Sequence, residues 1–229
     1  PIPEPEVNLG VGSDTHATQT AAMLRKLDDV VADYDPDVVL VYGDTNSTLA
    51  AALVGAKRDC VVAHVEAGLR SYDRQMPEEV NRVLTDHCSG LLFVPSDRAE
   101  ETLAREGITD GVFNTGDVMY DSLLTVVDRA REESTVLDDL GYELGEFVLA
   151  TVHRAKNTDD HDRLRGLLPG LGESPLPVVL AAHPRTVDAL DEAVLDDEVP
   201  DRIDLVEPVG YLDFVALVDA AERVATDSG

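Results

Sequence analysis

The chain has 229 residues, enough for one large domain or two of ordinary size, and 44% of them are hydrophobic, which supplies a sizeable core. Asp and Glu number 46 against 18 Lys and Arg, so the formal net charge is −28. This charge argues against a nucleic-acid partner, whose phosphates would be repelled. Because the sequence has no apolar run of about 18 residues, we predict no transmembrane helix, and no signal-peptide pattern is visible.

The acidic residues are spread through every predicted helix and loop. This distribution favours adaptation to high salt, where screening weakens self-repulsion, over a dedicated acidic binding surface. Two cysteines, Cys60 and Cys88, are too few for a disulfide framework and are typical of structural thiols in a reducing compartment. We therefore predict a cytoplasmic protein from a halophilic source.

Hydrophobic periodicity predicts alternating helices and strands along the whole chain. The predicted strands lie at 7–11, 38–42, 61–65, 91–94, 112–114, 147–152, 178–182, 203–206 and 224–225. The predicted helices lie at 15–33, 46–57, 77–88, 97–106, 119–133, 159–168, 186–195 and 211–221. The helix at Pro77 begins with a residue whose missing N–H suits the first turn.

The strand pattern predicts the fold class. Short Val-rich runs between helices are typical of buried parallel strands. Two such series predict an α/β protein of two Rossmann-like, doubly wound domains with a cleft between them. We assign residues 1–120 to the first domain and 121–229 to the second, and we predict the polar stretch 137–146 to be the loop at the domain boundary.

Three carboxylates in the first half are candidate catalytic residues. Asp44 and Glu66 each follow a predicted strand, and Glu78 begins a predicted helix. In open α/β sheets, ligands bind just outside the carboxyl ends of the strands. Asp44 could equally be a helix cap, and Glu78 would suit a helix dipole. Glu66 is harder to explain structurally, because Glu is a poor cap.

Different residue types follow the strands of the second half. They are His153 with Arg154, then His183, and finally Ser228 with Gly229. Imidazole, guanidinium and backbone N–H groups are typical of an anion site, although His153 could also be a satisfied half-buried histidine. His64 and Glu66 share a strand face, but no further ligand stands at metal-site spacing, so we predict no metal. No glycine-rich dinucleotide or P-loop motif is present, so we predict no cofactor.

At these residues the sequence resembles the UDP-N-acetylglucosamine 2-epimerases of the non-hydrolysing bacterial and archaeal type. The matching motifs, in the family's order, are Gly-Asp-Thr at 43–45, His-Val-Glu-Ala-Gly-Leu-Arg at 64–70, Pro-Glu-Glu-Val-Asn-Arg at 77–82, His-Arg-Ala-Lys-Asn at 153–157, His-Pro at 183–184 and Thr-Asp-Ser-Gly at 226–229. The second and third motifs are highly specific, and together the motifs span nearly the whole chain.

The resemblance implies a GT-B-like fold with a UDP-sugar in the interdomain cleft. The family inverts C2 of UDP-N-acetylglucosamine to give UDP-N-acetylmannosamine, by anti elimination of UDP and re-addition to a 2-acetamidoglucal. Family members are usually homodimers. The expected partners are therefore the two UDP-sugars and a second copy of the chain, with no nucleic acid and no membrane.

The resemblance also assigns roles to individual positions. Asp44, Glu66 and Glu78 match the catalytic carboxylates, and His153 matches the histidine that holds the departing diphosphate. The remaining matches are Arg82 near the nucleotide phosphates, Phe214 with its backbone at uracil, Ser228 and Gly229 at the diphosphate, and Arg154 and His183 near a second, activating substrate site.

The chain departs from the family pattern in three ways. Asp117 stands where Asn is common in the family's Thr-Gly-Asn turn, which we expect to be a minor change. Lys156 stands where the family usually has Glu, which reverses a charge beside the site. The family's opening phosphate loop and the segment after Gly229 do not occur in the sequence, so we expect a chain truncated at both ends. The alternatives are a hydrolysing 2-epimerase that releases UDP and N-acetylmannosamine, a non-catalytic UDP-sugar-binding protein and, more weakly, a glycosyltransferase of the same architecture.

Overall fold

The computed structural model describes residues 4–182, 184–192 and 199–227. The chain divides into two compact units, Pro1–Val118 and Met119–Gly229. The polar stretch 137–146, predicted as the boundary loop, instead lies inside the second unit and is partly helical. No helix among the described residues is long and apolar enough to cross a membrane.

The first unit alternates helices with short strands. Its elements are α1 (His16–Tyr34), β1 (Val38–Tyr42), α2 (Asn46–Lys57), β2 (Val61–Val65), α3 (Pro77–Cys88), β3 (Leu91–Val94), α4 (Asp97–Arg105) and β4 (Val112–Asn114). Pro77 is at the start of α3, as predicted. The strand expected at 7–11 is absent, because no described residue pairs with that segment and a strand needs a partner.

The four strands of the first unit form one parallel sheet in the order β1-β2-β3-β4. Buried Val41, Val62 and Leu92 pack in its core. Because neighbouring strands run in the same direction, their carboxyl ends meet at one edge of the sheet. The turns that follow β1 and β2 therefore lie side by side, with Tyr42 opposite Val65 in the register.

The second unit repeats this architecture with a different strand order. Its elements are α5 (Val118–Glu133), which begins at the unit boundary, α6 (Val136–Leu140), β5 (Val148–Thr151), α7 (Ala155–Thr158), α8 (His161–Gly172), β6 (Val178–Ala181), α9 (Pro184–Glu192), β7 (Ile203–Val206), α10 (Tyr211–Ala220) and β8 (Arg223–Thr226). The sheet is parallel, in the order β7-β6-β5-β8.

One of the two inner strands of this sheet, β5, brings two distant segments together. β5 pairs with β8, and Thr151 lies opposite Thr226. The residues that follow these two strands, His153 and Asp227, are therefore neighbours although 74 positions separate them in the sequence. The core around β5 contains the fully buried Phe147 and Leu149. Helix α8 runs past its predicted end and contains Pro169, with Leu164 and Leu168 buried against the core.

Candidate active site

Asp44 follows β1 in a turn held by backbone bonds. Gly43 has φ +63, and its N–H donates to the carbonyl of Val65 over 3.1 Å. The N-cap of α2 is Thr45, so Asp44 is not the helix cap. Its carboxylate accepts a hydrogen bond from Arg82, and its own backbone carbonyl accepts one from Asn81 at 2.9 Å. The turn that holds Asp44 is thus fixed to β2, and Asp44 itself is bonded to α3, at the edge of the sheet.

Glu66 follows β2 in an unusual backbone conformation. Its φ is +70, a left-handed value that is uncommon for residues other than glycine and that clusters at functional sites. Its carboxylate lies over the turn after β1, because a Cβ built on Gly43 would be 3.8 Å from Glu66 Oε2. Among the described residues, no group donates a hydrogen bond to this carboxylate.

The surroundings of Glu66 favour its protonated form. Burial is the main cause that raises the pKa of Glu66, and the nearby charges of Asp117 and Asp44 raise it further. The positive charges of His64 and Arg82 oppose this shift without cancelling it. A carboxyl group with a raised pKa exchanges its proton closer to neutral pH, which suits general acid–base catalysis.

The first turn of α3 contains two glutamates with different environments. Glu79 is 3% exposed and accepts from the N–H of Ser71 at 2.8 Å, the N–H of Tyr72 at 3.0 Å and Arg82 Nη1 at 3.2 Å. Glu78 is half-buried and makes no hydrogen bond or ion pair with any described residue. It stands four residues before Arg82, on the same helix face. Glu79 is therefore a structural residue, and Glu78 is available for chemistry.

Arg82 links two of these acids. Its side chain, 15% exposed, contacts the carboxylates of Asp44 and Glu79. Its Nε is buried without an acceptor among the described residues. The sequence predicts Arg82 near phosphates; the structure places it against carboxylates, and its phosphate role stays a prediction.

Sequence reasoning missed the buried partners beneath this site. His64 is fully buried, with Nδ1 2.6 Å from Asp86 Oδ1. Asp86 also pairs with Arg70 over 2.7 Å, and Arg70 forms a second ion pair with Glu106. A histidine inside an apolar strand was the available signal, but nothing in the sequence identifies Asp86 as its partner.

In the second unit, Asp227 organises the turn after β5. Its carboxylate accepts from the backbone N–H groups of His153 at 3.2 Å and Arg154 at 3.0 Å, and from Asn157 Nδ2 at 2.8 Å. His153 Nδ1 lies 3.2 Å from Asp227 Oδ1. Burial opposes ionisation of Asp227, but these bonds outweigh it and lower the pKa of its carboxyl group. The predicted His153–Arg154 site is thus built on an acid that was not predicted.

The other predicted ligand residues have mixed outcomes. Phe214 lies in the first turn of α10, half-buried against the core, and its backbone N–H already donates to the carbonyl of Gly210. Its predicted backbone contact with uracil is not tested. His183, Ser228 and Gly229 lie outside the described residues. The described residues contain no group of three or more His, Cys, Asp or Glu side chains placed to hold a metal ion.

Comparison with known proteins identifies relatives along the whole chain. The family model described as UDP-N-acetylglucosamine 2-epimerase matches residues 1–229. A Methanococcus maripaludis protein named UDP-N-acetylglucosamine 2-epimerase homolog is 47% identical, covering 100% of this chain and 65% of the relative. A Pseudomonas aeruginosa protein named UDP-2,3-diacetamido-2,3-dideoxy-D-glucuronate 2-epimerase is 43% identical over 100% of this chain and 64% of its own length.

Solved structures give the same result. The Methanocaldococcus jannaschii UDP-GlcNAc 2-epimerase, in complex with UDP-GlcNAc and UDP, matches with a TM-score of 0.87 and 43% identity, over 100% of this chain and 65% of that one. The chain therefore spans about two-thirds of the length of these relatives. The predicted α/β fold with two GT-B-type Rossmann-like domains is confirmed. The chain belongs to the UDP-N-acetylglucosamine 2-epimerase family.

Proposed function

We propose that the protein inverts the configuration at C2 of UDP-N-acetylglucosamine to give UDP-N-acetylmannosamine. The observation that carries the proposal is Glu66, whose carboxyl group accepts no hydrogen bond from the described residues, has a raised pKa and lies near Asp44. The relative from M. jannaschii, crystallised with UDP-GlcNAc and UDP, supports the choice of substrate.

The reaction needs more than one acid because C2–H is a weak acid and the product has the opposite configuration. In the forward step a carboxylate removes the C2 proton, the C2–H electron pair forms the C1–C2 double bond, and the C1–O bond to UDP breaks. In the return step a carboxylic acid protonates C2 from the other face and UDP oxygen adds to C1. We assign these two proton transfers to Asp44, Glu66 and Glu78 as a set.

The departing diphosphate needs positive charge or N–H donors. We assign this role to His153, whose ring is oriented by Asp227, with Ser228 and Gly229 as further diphosphate contacts and Phe214 at the uracil. Arg82 is assigned to the nucleotide phosphates, and Arg154 and His183 to a second substrate site. A cytoplasmic location, a homodimer and adaptation to salt stay predictions.

A second candidate substrate has a specific basis. The P. aeruginosa relative, named for UDP-2,3-diacetamido-2,3-dideoxy-D-glucuronate, is as similar to this chain as the M. jannaschii enzyme, at 43% identity each. Both names describe epimerisation at C2, so the same carboxylates would serve. The two sugars differ at C3 and C6, so a comparison of their turnover tests substrate specificity while the reaction at C2 stays the same.

The test is proton NMR of each UDP-sugar incubated with the protein in deuterated high-salt buffer, with the M. jannaschii relative as the positive control. Deuterium at C2 together with UDP-N-acetylmannosamine is the expected result. Faster exchange into the diacetamido uronate would move the proposal to that substrate. Free UDP with N-acetylmannosamine would assign the hydrolysing reaction, and ligand binding without exchange would assign a binding protein.

A further inference from the structure

The His64 ring lies between the two turns that hold Asp44 and Glu66. His64 Nε2 is 2.8 Å from the backbone carbonyl of Gly43, and Nδ1 is 2.6 Å from Asp86 Oδ1. A carbonyl oxygen can only accept a hydrogen bond, so Nε2 carries a proton. The state of Nδ1 then depends on where the proton between His64 and Asp86 resides.

The environment of Asp86 places that proton on His64. Asp86 Oδ2 accepts from Gly68 N–H at 3.1 Å and from Arg70 Nη1 at 2.7 Å, so two donors occupy this oxygen. Hydrogen bonds and a guanidinium beside a carboxylate favour its ionised form. Both side chains are fully buried, where a charged group needs an opposite charge. We therefore expect Asp86 to be the carboxylate of this pair and His64 to carry a proton on each nitrogen, which the first test below measures.

The same pair connects two backbone turns. On one side His64 donates to Gly43, the residue before Asp44. On the other side Asp86 accepts from Gly68, two residues after Glu66. Gly68 has φ +79, and an added Cβ would lie 2.4 Å from the carbonyl oxygen of Ala99. Only glycine therefore fits at this position of the turn.

We propose that His64 and Asp86 form a buried ionic clamp that positions Asp44 and Glu66 relative to each other. The two are positioning residues, because they act through backbone groups and lie beneath the candidate catalytic carboxylates. The functional consequence rests on the proposed function; the geometry and charge state of the clamp do not. The charged groups near it are Arg70 on the turn after β2, which pairs with Asp86, and Glu66 on the same turn, which lies close enough to His64 for the two charges to interact.

The first test is the ¹⁵N NMR spectrum of the histidine rings in the unmodified 229-residue chain at neutral pH, with His64 assigned through its backbone. We expect both His64 ring nitrogens to show the shifts of protonated nitrogens, with N–H protons protected from exchange. A His64 spectrum with one unprotonated nitrogen would overturn the clamp as an ion pair. This result does not depend on turnover, so it separates failure of this inference from failure of the proposed function.

The second test compares variants that each keep one half of the clamp. In His64→Gln the amide nitrogen replaces Nε2 and keeps the bond to Gly43; in His64→Asn it replaces Nδ1 and keeps the bond to Asp86. Asp86→Asn removes the charge from the other side. His87→Gln, a half-exposed histidine on the same helix, is the matched control.

In the C2 exchange assay we expect each clamp variant to lower kcat by about 100-fold, the effect of a small misplacement of reacting groups, with KM changed less than about threefold. The amide resonances of Gly43 and Gly68 should shift together in Asp86→Asn and stay in place in His87→Gln. Full kcat in clamp variants that melt cooperatively, or shifts confined to one turn, would overturn the proposal.

Discussion

Both units place their candidate functional side chains after the carboxyl ends of parallel strands, but the acids of the two units differ in the hydrogen-bond donors around them. In the first unit the acids beneath the turns, Asp86 and Glu79, take up the nearby donors, and Glu66 keeps a carboxylate without a hydrogen-bond donor among the described residues. In the second unit Asp227 takes up the donors of its own turn, and His153 is left 42% exposed.

This difference is the basis on which we propose different chemistry for the two equivalent sheet edges. An acid without donors, half-buried beside other acids, holds its proton more tightly and suits proton transfer. An acid saturated by N–H groups stays ionised and instead orients the histidine beside it. The carboxyl end of a parallel sheet therefore defines where a ligand binds, while the partners of each acid decide what the site does.

The largest expected effect is loss of proton transfer in Glu66→Gln. An amide cannot take the C2 proton, so we expect C2 exchange to fall by about 1,000-fold while UDP binding is retained. Because folding raises the pKa of Glu66, its ionised form costs stability above that pKa, so the variant should unfold at no lower temperature. Deuterium exchange, calorimetric UDP binding and thermal unfolding measure the three quantities.

The control for this variant is Glu100→Gln, an exposed glutamate on α4 of the same unit. It should leave exchange, binding and unfolding unchanged. If Glu66→Gln kept more than about a tenth of the exchange rate, Glu66 would not be the principal proton-transfer group.

The next largest effect should be in the second unit, in Asp227→Asn. The amide oxygen can still accept from the N–H groups of His153 and Arg154, but it is uncharged, so these bonds weaken. The NH₂ group that replaces Oδ1 cannot accept from His153 Nδ1, so the ring loses the acceptor that orients it. We expect UDP affinity to fall about tenfold, or roughly 1.4 kcal/mol. Isothermal calorimetry measures it, with the exposed Asp201→Asn as control. Unchanged UDP affinity would contradict the assignment of the diphosphate to this turn.

Two adjacent glutamates on α3 allow a structural role and a catalytic role to be compared within the first unit. Glu79→Gln places an amide donor among the donors from Ser71, Tyr72 and Arg82, and should lower the free energy of unfolding by about 1–3 kcal/mol. Glu78→Gln should change it by less than about 0.5 kcal/mol, while lowering C2 exchange. Denaturant unfolding and the exchange assay would show this double dissociation; equal destabilisation by both variants would contradict it.

The same pair of variants makes a prediction about pH. Burial opposes ionisation of Glu79, but hydrogen bonds from Ser71 and Tyr72 and the charge of Arg82 together lower its pKa. A group with a depressed folded pKa stabilises the protein fully above its unfolded pKa, about 4.3, and loses this stabilisation as the pH falls through the folded value. The stability difference between the unmodified chain and Glu79→Gln should therefore shrink only in acid.

The smallest effect is expected at the surface. Arg129 and Glu133 form an exposed ion pair one helical turn apart on α5. Solvent and salt screen such a pair, so Arg129→Ala should leave the melting temperature in high salt unchanged within error. A clear loss of stability would show that exposed ion pairs contribute more to this strongly acidic chain than their screening allows.

Much of the fold followed from local pattern. The strands Val38–Tyr42 and Val61–Val65 have the predicted bounds. Short runs of β-branched residues between turn residues strongly favour buried strands in an α/β chain. Helices α6 and α7 were missed because four or five residues are too short to show a helical period. Helix α8 was predicted too short because buried packing of Leu164 and Leu168 overrides the local signal of Pro169.

The sequence by itself determined which residue types stand at the strand ends, and therefore the candidate acids Asp44, Glu66 and Glu78. Only the tertiary structure decided which acids form hydrogen bonds and ion pairs with neighbouring groups. Adjacent helical residues point about 100° apart, so the orientation of α3 buries Glu79 and leaves Glu78 available. Strand pairing likewise brings Asp227 to His153, and packing of α3 on the sheet brings Asp86 to His64. These partners are distant in sequence, and no local signal encodes contacts that form only when the sheets assemble.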